Sequence, residues 1–495
     1  MHRTTELLVM VVVSLFILYS ALISVGDGNH FLGGTISWRP SNTSATGSPV
    51  AIVITQTYSW TYSYIPCTQV TIASNAYVPS YGGLAAEVLE CIYNCATGAI
   101  GYPNISVIPR CTDFSVAAGI TTGQRSDTVY LDINDDFAAA FRDSSWRPLA
   151  TSANASWAIS TRIIVKPRTD TGYFNSAPVA TVMSPINIPY NKSISITIPV
   201  ADADGDTLRC RWANKSNGIN ECRGVCPPDS LPPDTIIYPN CTIIINGKNL
   251  SDWYAVAVTV EDFINSSSTI PLSSVPVQFL VHVISASSCP TLPEIIGIPL
   301  EYSCMTLRVG QTFTSQLKAR NNCGPNVTIV DISTLSFSGM VTSNITKVDA
   351  TIYYKSLSWT PTLAQVGYQV MCAMAFDRSN RKLDINRNHW WSMSSDVDDA
   401  VLLFLSLQAV TVTLCLIEKD SLLNYITLND ALISTVLSTN HLKRPALSGY
   451  VIETALNANL YIRTLKNIPN YQRQCLKLFQ IMQLRVLILD LILTQ

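Results

Sequence analysis

Ile52-Val-Ile-Thr-Gln-Thr-Tyr-Ser-Trp-Thr-Tyr-Ser-Tyr64 is the stretch that decides the fold class. Its even positions are Ile52, Ile54, Gln56, Tyr58, Trp60, Tyr62 and Tyr64. Its odd positions are Val53, Thr55, Thr57, Ser59, Thr61 and Ser63. A period of two places the aromatic set on one face of a β-strand and the hydroxyls on the other. Phe31 to Pro40 reads as a strand stopped by proline, and Val129–Ile133 and Trp157–Val165 as further strands. Together they make a β-rich module over 29–168. The aromatic face is expected to pack a sheet core. The competing expectation is a carbohydrate-binding surface, since flat rings stack on sugars.

Composition agrees with exposed β-sheet. Charged residues are 13% of the chain, hydrophobic residues 47%, and the net charge is −2. No basic stripe is present for nucleic acid. Ser, Thr, Asn, Val and Ile are abundant, which favours strands over helices.

The first residues suggest export. A weakly basic start at His2 and Arg3 precedes an apolar run from Leu7 to Ile23, and Ser24-Val-Gly26 supplies small residues for cleavage. This is the three-part pattern of a secretory signal over 1–26. An uncleaved signal-anchor helix is the alternative. Asn-X-Ser/Thr sequons occur at Asn42, Asn104, Asn154, Asn191, Asn214, Asn240, Asn249, Asn265, Asn326 and Asn344, and none follows.

The cysteines divide the chain in the same way. Cys67, Cys91, Cys95 and Cys111 form one group. Cys210, Cys222, Cys226 and Cys241 form a second, and Cys289, Cys304, Cys323 and Cys372 a third. An even number in each group predicts bridges closed within a module in an oxidising compartment, with the connectivity left open. Zinc at Cys91-x3-Cys95 or Cys222-x3-Cys226 is disfavoured, because exported thiols oxidise and the five histidines lie elsewhere in sequence.

A second module is read over 175–283. It opens on Asn175-Ser-Ala-Pro178 and a strand, Ser193–Val200. Ala201-Asp-Ala-Asp-Gly-Asp-Thr-Leu208 follows, and then strands at Trp253–Val260 and Val275–Val283. Asp202, Asp204 and Asp206 on one tight loop, with Glu261 and Asp262 ending a later strand, are candidate calcium ligands, since calcium takes six to eight oxygens. A solvated Asp/Gly turn is the plainer expectation. No glutamate after Asp206 completes an EF-hand. A third module is read over 290–377, with strands at Leu307–Phe313, Thr351–Trp359 and Tyr368–Phe376. Trp-x-Pro recurs at Trp38, Trp146 and Trp359 as a mark of strand ends.

The Asn175–Pro178 linker and the Asp202–Asp206 turn resemble cadherin-like and related immunoglobulin-like extracellular repeats. Trp359-Thr-Pro361 with Val366 to Asp377 resembles the last strands of immunoglobulin-like repeats. The layout of Phe31–Pro40, Ala201–Trp212, Glu221–Cys226 and Leu272–Val283 resembles a group of uncharacterised exported invertebrate proteins. That resemblance implies location and architecture: a mainly β protein of consecutive β-sandwich modules, with an N-terminal signal helix and a helical or disordered tail.

The tail, 384–495, differs in character. Ala400 to Ile417 is apolar and follows Asp396, Asp398 and Asp399. A bilayer needs about 20 apolar residues. Basic residues after it give a mild positive-inside bias. A transmembrane helix over 400–417 is weighed against a buried helix and against a wrongly assembled tail.

No G-x-S-x-G, H-E-x-x-H, P-loop or Rossmann glycine pattern is present. Asp132, Asp135 and Asp136 are candidates for a carboxylate pair in glycan hydrolysis, although Asp132-Ile-Asn-Asp-Asp136 reads more simply as a loop. The expected function is therefore an extracellular or cell-surface adhesion or interaction protein, not an enzyme, with a protein or glycan ligand and no nucleic acid. A carbohydrate-binding module or glycan hydrolase is the alternative.

Overall fold

The computed structural model describes residues 31–79, 87–95, 101–216, 218–286, 293–298, 304–324, 327–377 and 389–396. The signal segment 1–26, the apolar stretch 400–417 and Cys415 and Cys475 lie outside them. Among the described residues no helix is long and apolar enough to cross a membrane.

The chain is mainly β, built from several sheets. A twelve-stranded sheet takes in Phe31–Pro40, Val50–Thr61, Ile120–Leu131 and Arg110–Ser115 on one side. On the other it takes in Ile105–Ser106, Val88–Tyr93, Asp136–Ser144 and Ser156–Ile164. The strand Ser273–Ile284 joins these halves. It pairs along its length with Trp253–Phe263, which carries Thr207–Trp212 beyond it. It also pairs with Phe31–Pro40 at 277–279, with Arg162 at Ser274, and in parallel with Ile186–Pro189 at 281–284. The segments 29–168 and 175–283 therefore share hydrogen-bonded sheet.

Gly33 makes this possible. It sits at φ +141°, beside a bulge that follows Phe31. A Cβ there would lie 2.2 Å from the Gln278 carbonyl oxygen. Only glycine permits both that conformation and that approach.

The alternation over 52–64 packs as expected on its aromatic face. Tyr58 and Trp60 are fully buried. Phe31 lies at the centre, with ring centroids 4.9 Å from Trp60, 4.6 Å from Trp157, 5.1 Å from Trp146 and 5.8 Å from Phe141. The carbohydrate-binding expectation fails here, because rings at Tyr58 and Trp60 have no face left for a sugar. Tyr62 stacks on Phe114, and only Tyr64 is exposed. Of the Trp-x-Pro tryptophans, Trp38, Trp146 and Trp359 are all buried.

The middle of the hydroxyl face is buried too, while Thr55 and Thr61 are half-buried and Ser63 is exposed. Thr57 and Ser59 lie under Val182 and Leu335, with a small cavity between. Leu335 belongs to the third segment, which forms two further sheets. One runs Glu294–Ile298, Phe313–Arg320, Ile352–Trp359 and Val341–Thr342. The other runs Cys304–Arg308, His389–Asp396, Gly367–Asp377 and Ile329–Leu335. Within the stretch read as tail, 384–495, one element is described. His389–Asp396 is a strand, held by Gly367–Asp377 on one side and Cys304–Arg308 on the other.

Four disulfides close wholly among the described residues: Cys67–Cys111, Cys91–Cys95, Cys210–Cys241 and Cys222–Cys226. Cys323 is also bridged. Cys372 is not, a correction to the expected third group: its thiol is buried inside a strand whose neighbours are apolar. Cys289 and the Cys304 side chain lie outside the described residues. Non-reducing digestion and mass spectrometry of secreted protein should return Cys210 joined to Cys241 and Cys222 to Cys226. Free thiols at these four positions would overturn the oxidising compartment.

Candidate functional site

The Asp202–Asp206 loop is organised by its own first carboxylate. Asp202 Oδ1 accepts the backbone N–H of Asp204 at 2.8 Å and of Asp206 at 3.1 Å. Gly205, at φ +77°, completes the turn. The loop leads into Thr207–Trp212, which pairs with Trp253–Phe263 and so brings Asp262 alongside. One oxygen from each of Asp202, Asp206 and Asp262 lies within 4.8 Å of the others, and all three residues are buried.

The linker supplies donors. Asn175 Nδ2 donates to Asp262 Oδ2 at 2.7 Å, and the Ser176 N–H donates to Asp204 Oδ2 at 2.7 Å. Ser273 donates to Asp262 Oδ1 through both N–H and hydroxyl, at 2.6 and 2.8 Å. Arg168 supplies the positive charge. Its guanidinium donates to both Asp206 oxygens at 2.5 and 2.6 Å, and to both Asp170 oxygens at 3.0 and 2.9 Å. It lies 3.4 Å from Asp204. Such a fork–fork pair is the strong form of a charged hydrogen bond.

One atom stays unsatisfied. Asp202 Oδ2 is buried without a hydrogen-bond partner. Burial, then the nearby Asp262, Asp206 and Asp204, pushes the Asp202 carboxyl well up. Burial pushes Asp262 up to about 6, against the pull of Asn175 and Ser273. Asp204 and Asp206 are also raised, burial being the main cause. The cluster holds more negative charge than Arg168 neutralises, which is how a loop gains affinity for a proton or a cation.

Glu261 does not join it. Neighbouring residues on a strand face opposite sides, and Glu261 points to the side away from Asp262. There it accepts from Arg211 Nε at 2.9 Å, while Arg211 also holds Glu221 at 2.7 and 2.9 Å. The expected ligand set thus loses Glu261. Arg168 and Asp170 enter the site without having been singled out in sequence, and Asn175, read there only as the start of a linker, enters it as a donor.

The carboxylates considered for hydrolysis are committed to the loop. Asp135 Oδ2 accepts the Asp132 N–H at 2.9 Å, and Asp132 Oδ1 accepts the Ser48 hydroxyl at 2.7 Å. Asp136 is held by Arg162 through two bonds of 2.8 Å. His282 stacks on Trp253 at 4.0 Å, and Arg147 lies 3.4 Å from the same ring centroid. Among the sequons, Asn42, Asn104, Asn154, Asn191, Asn240, Asn249, Asn265 and Asn344 are exposed and Asn214 is half-buried. Asn326 lies outside the described residues.

Residues 32–166 match the family model described as "Integrin beta-like protein A-E, N-terminal". No curated protein matches the chain. Among solved structures, a GspB Siglec domain is 8% identical at a TM-score of 0.19. The alignment covers 23% of this chain and 61% of that one, so this chain spans under two thirds of that structure's length. The titin Ig tandem domains A164-A165 are 9% identical at a TM-score of 0.13, over 44% of this chain and 97% of that one.

Removing one partner of a buried ion pair leaves the other charge stranded, at a cost of about 3–5 kcal/mol. Arg168→Met should cost that much at pH 7. At pH 5 the loss should shrink, because the stranded carboxylates then take up protons. Thermal melts at both pH values measure this, and a deficit independent of pH would refute it.

Proposed function

We propose that this chain is an adhesion or interaction protein of the cell exterior that binds a protein or glycan ligand through its β-sandwich surfaces. The observation that carries the reading is the match of residues 32–166 to the N-terminal model of integrin beta-like proteins. Closed disulfides support an oxidising location. Sheet edges and loops are the surfaces such modules use for recognition.

The full chain expressed in animal cells should reach the medium or the cell surface carrying N-linked glycans at the exposed sequons. Beads coated with the purified product should bind cells or matrix, and bovine albumin beads should not. A cytosolic, unglycosylated product, or coated beads that bind no better than albumin, would sink this reading.

A second reading concerns a divalent cation, such as calcium, at Asp202, Asp206 and Asp262, with Asp204 beside them. The orphaned Asp202 Oδ2 favours it. Calcium needs several oxygens at once, and Arg168 already engages both oxygens of Asp206. The two cations therefore compete, and calcium acts here as a modulator of stability. Millimolar calcium over a site of ~0.1 mM affinity stabilises by about 1–1.5 kcal/mol. Chelation should lower the melting temperature slightly, and Asp202→Asn should abolish that response. An unchanged melt on chelation would leave the cluster to its internal arginine alone.

A further inference from the structure

Ile352–Trp359 alternates strictly, with Tyr353, Lys355, Leu357 and Trp359 buried and the residues between them half-buried. Lys355 is the one charged side chain in that inward row. Its Nζ lies 2.7 Å from Asp331 Oδ1, and both residues are buried. Asp331 sits on Ile329–Leu335, in the opposite sheet of the sandwich, where the pairing register shifts between Ile329 and Asp331. Such a bulge re-aims a side chain.

A second acid completes the group. Asp113, on the Arg110–Ser115 strand of the first segment, has no exposure at all. It accepts the Thr334 N–H at 2.5 Å and the Thr334 hydroxyl at 2.8 Å, and feels the charges of both Lys355 and Asp331. Burial, more than any neighbour, pushes its carboxyl up. Lys355 would be lowered by burial, but Asp113 and Asp331 together hold it above its usual value, so Lys355 rests charged.

We propose that Lys355 and Asp331 condense into an intramolecular isopeptide bond that ties the two sheets of the third segment together, with Asp113 as the proton carrier. A proton first passes from Nζ to the Asp331 carboxylate along the short contact, leaving a neutral amine and a neutral acid. The nitrogen lone pair attacks Asp331 Cγ, and the Nζ–Cγ bond forms. One carboxyl oxygen leaves as water, taking the Asp113 proton as the Cγ–O bond breaks. Asp113 then recovers a proton from the nitrogen. The sum is ammonium plus carboxylate giving amide plus water, with no change of oxidation state and no co-reactant.

Two features drive it. The fold holds nucleophile and electrophile in contact, which replaces an encounter by a unimolecular step. Condensation also removes two charges from a dry interior, where they are costly to keep. In water the same condensation runs the other way.

The test is peptide mapping of the secreted full chain after deglycosylation, reduction and trypsin. A branched product should join the Asp331 peptide, ending at Lys347, to the Lys355 peptide, one water lighter than their sum and uncut after Lys355. Two linear peptides at full mass, cut after Lys355, would overturn the proposal. Asp113→Asn keeps an acceptor for Thr334 but carries no proton, so secreted Asp113→Asn should show mostly linear peptides. Full cross-linking in that variant would overturn the role of Asp113. If that variant is not secreted, the wild-type map still decides whether the bond exists.

Discussion

The approach of the Phe31–Pro40 backbone to the Gln278 carbonyl, across a residue without a Cβ, is the constraint on which the rest hangs. It places Ser273–Ile284 beside the N-terminal strand, so the end of the second segment is hydrogen-bonded to the beginning of the first. Phe31 is thereby fixed at the centre of the aromatic core, two residues from the glycine. Trp38, further along the same strand, donates from its indole to the Arg162 carbonyl at 2.8 Å. Ser184 donates to the Leu32 carbonyl and accepts the Leu280 N–H, stitching the start of the second segment to the same seam. Four stretches remote in sequence meet there, and none could be exchanged independently.

Much of this was legible locally and little of it globally. The alternation over 52–64 announced a strand and its core face, because a period of two is a property of the backbone. It did not announce that Thr57 and Ser59 would be covered, since Val182 and Leu335 come from far along the chain. The Asp202–Asp206 turn was legible because its geometry is made by neighbours. Arg168 was not, because nothing near it in sequence says that its partner is Asp206. Glu261 is a different case. It and Asp262 are adjacent on a strand, so parity alone excluded one of them from any shared site, and the pairing with Thr207–Trp212 decides which. Lys355 carried a readable signal too, a cation in an apolar row.

Charge is sparse in this chain, yet its most organised contacts are ionic and buried or half-buried: Arg168 with Asp206, Lys355 with Asp331, Arg211 with Glu221. Such pairs seldom add net stability, since desolvation offsets attraction. Their effect is to penalise every arrangement that leaves one partner alone. The disulfides act on the other side of the equilibrium, restraining the unfolded chain. Closing the loops of Cys67–Cys111 and Cys210–Cys241, with separations of 44 and 31, is worth about 4 kcal/mol each on chain entropy, and the two four-residue loops about 2 each. Stability and uniqueness thus have separate sources.

The same logic explains the polar contact between the first and third segments. Asp113 reaches Thr334, the Thr122 hydroxyl donates to the Thr334 carbonyl at 3.2 Å, and Ser336 donates to the Thr112 carbonyl at 3.3 Å. An apolar seam would tolerate sliding by a residue or two. Here a slip in register would strand a fully buried carboxylate, which is costlier than any lost apolar contact of similar area. The seam therefore admits one register, and that register sets Asp113 on Thr334, where it feels the charges of Lys355 and Asp331. Docking of the two segments has to precede any chemistry at the pair, since the acid and the pair come from different sheets and meet only in the assembled fold.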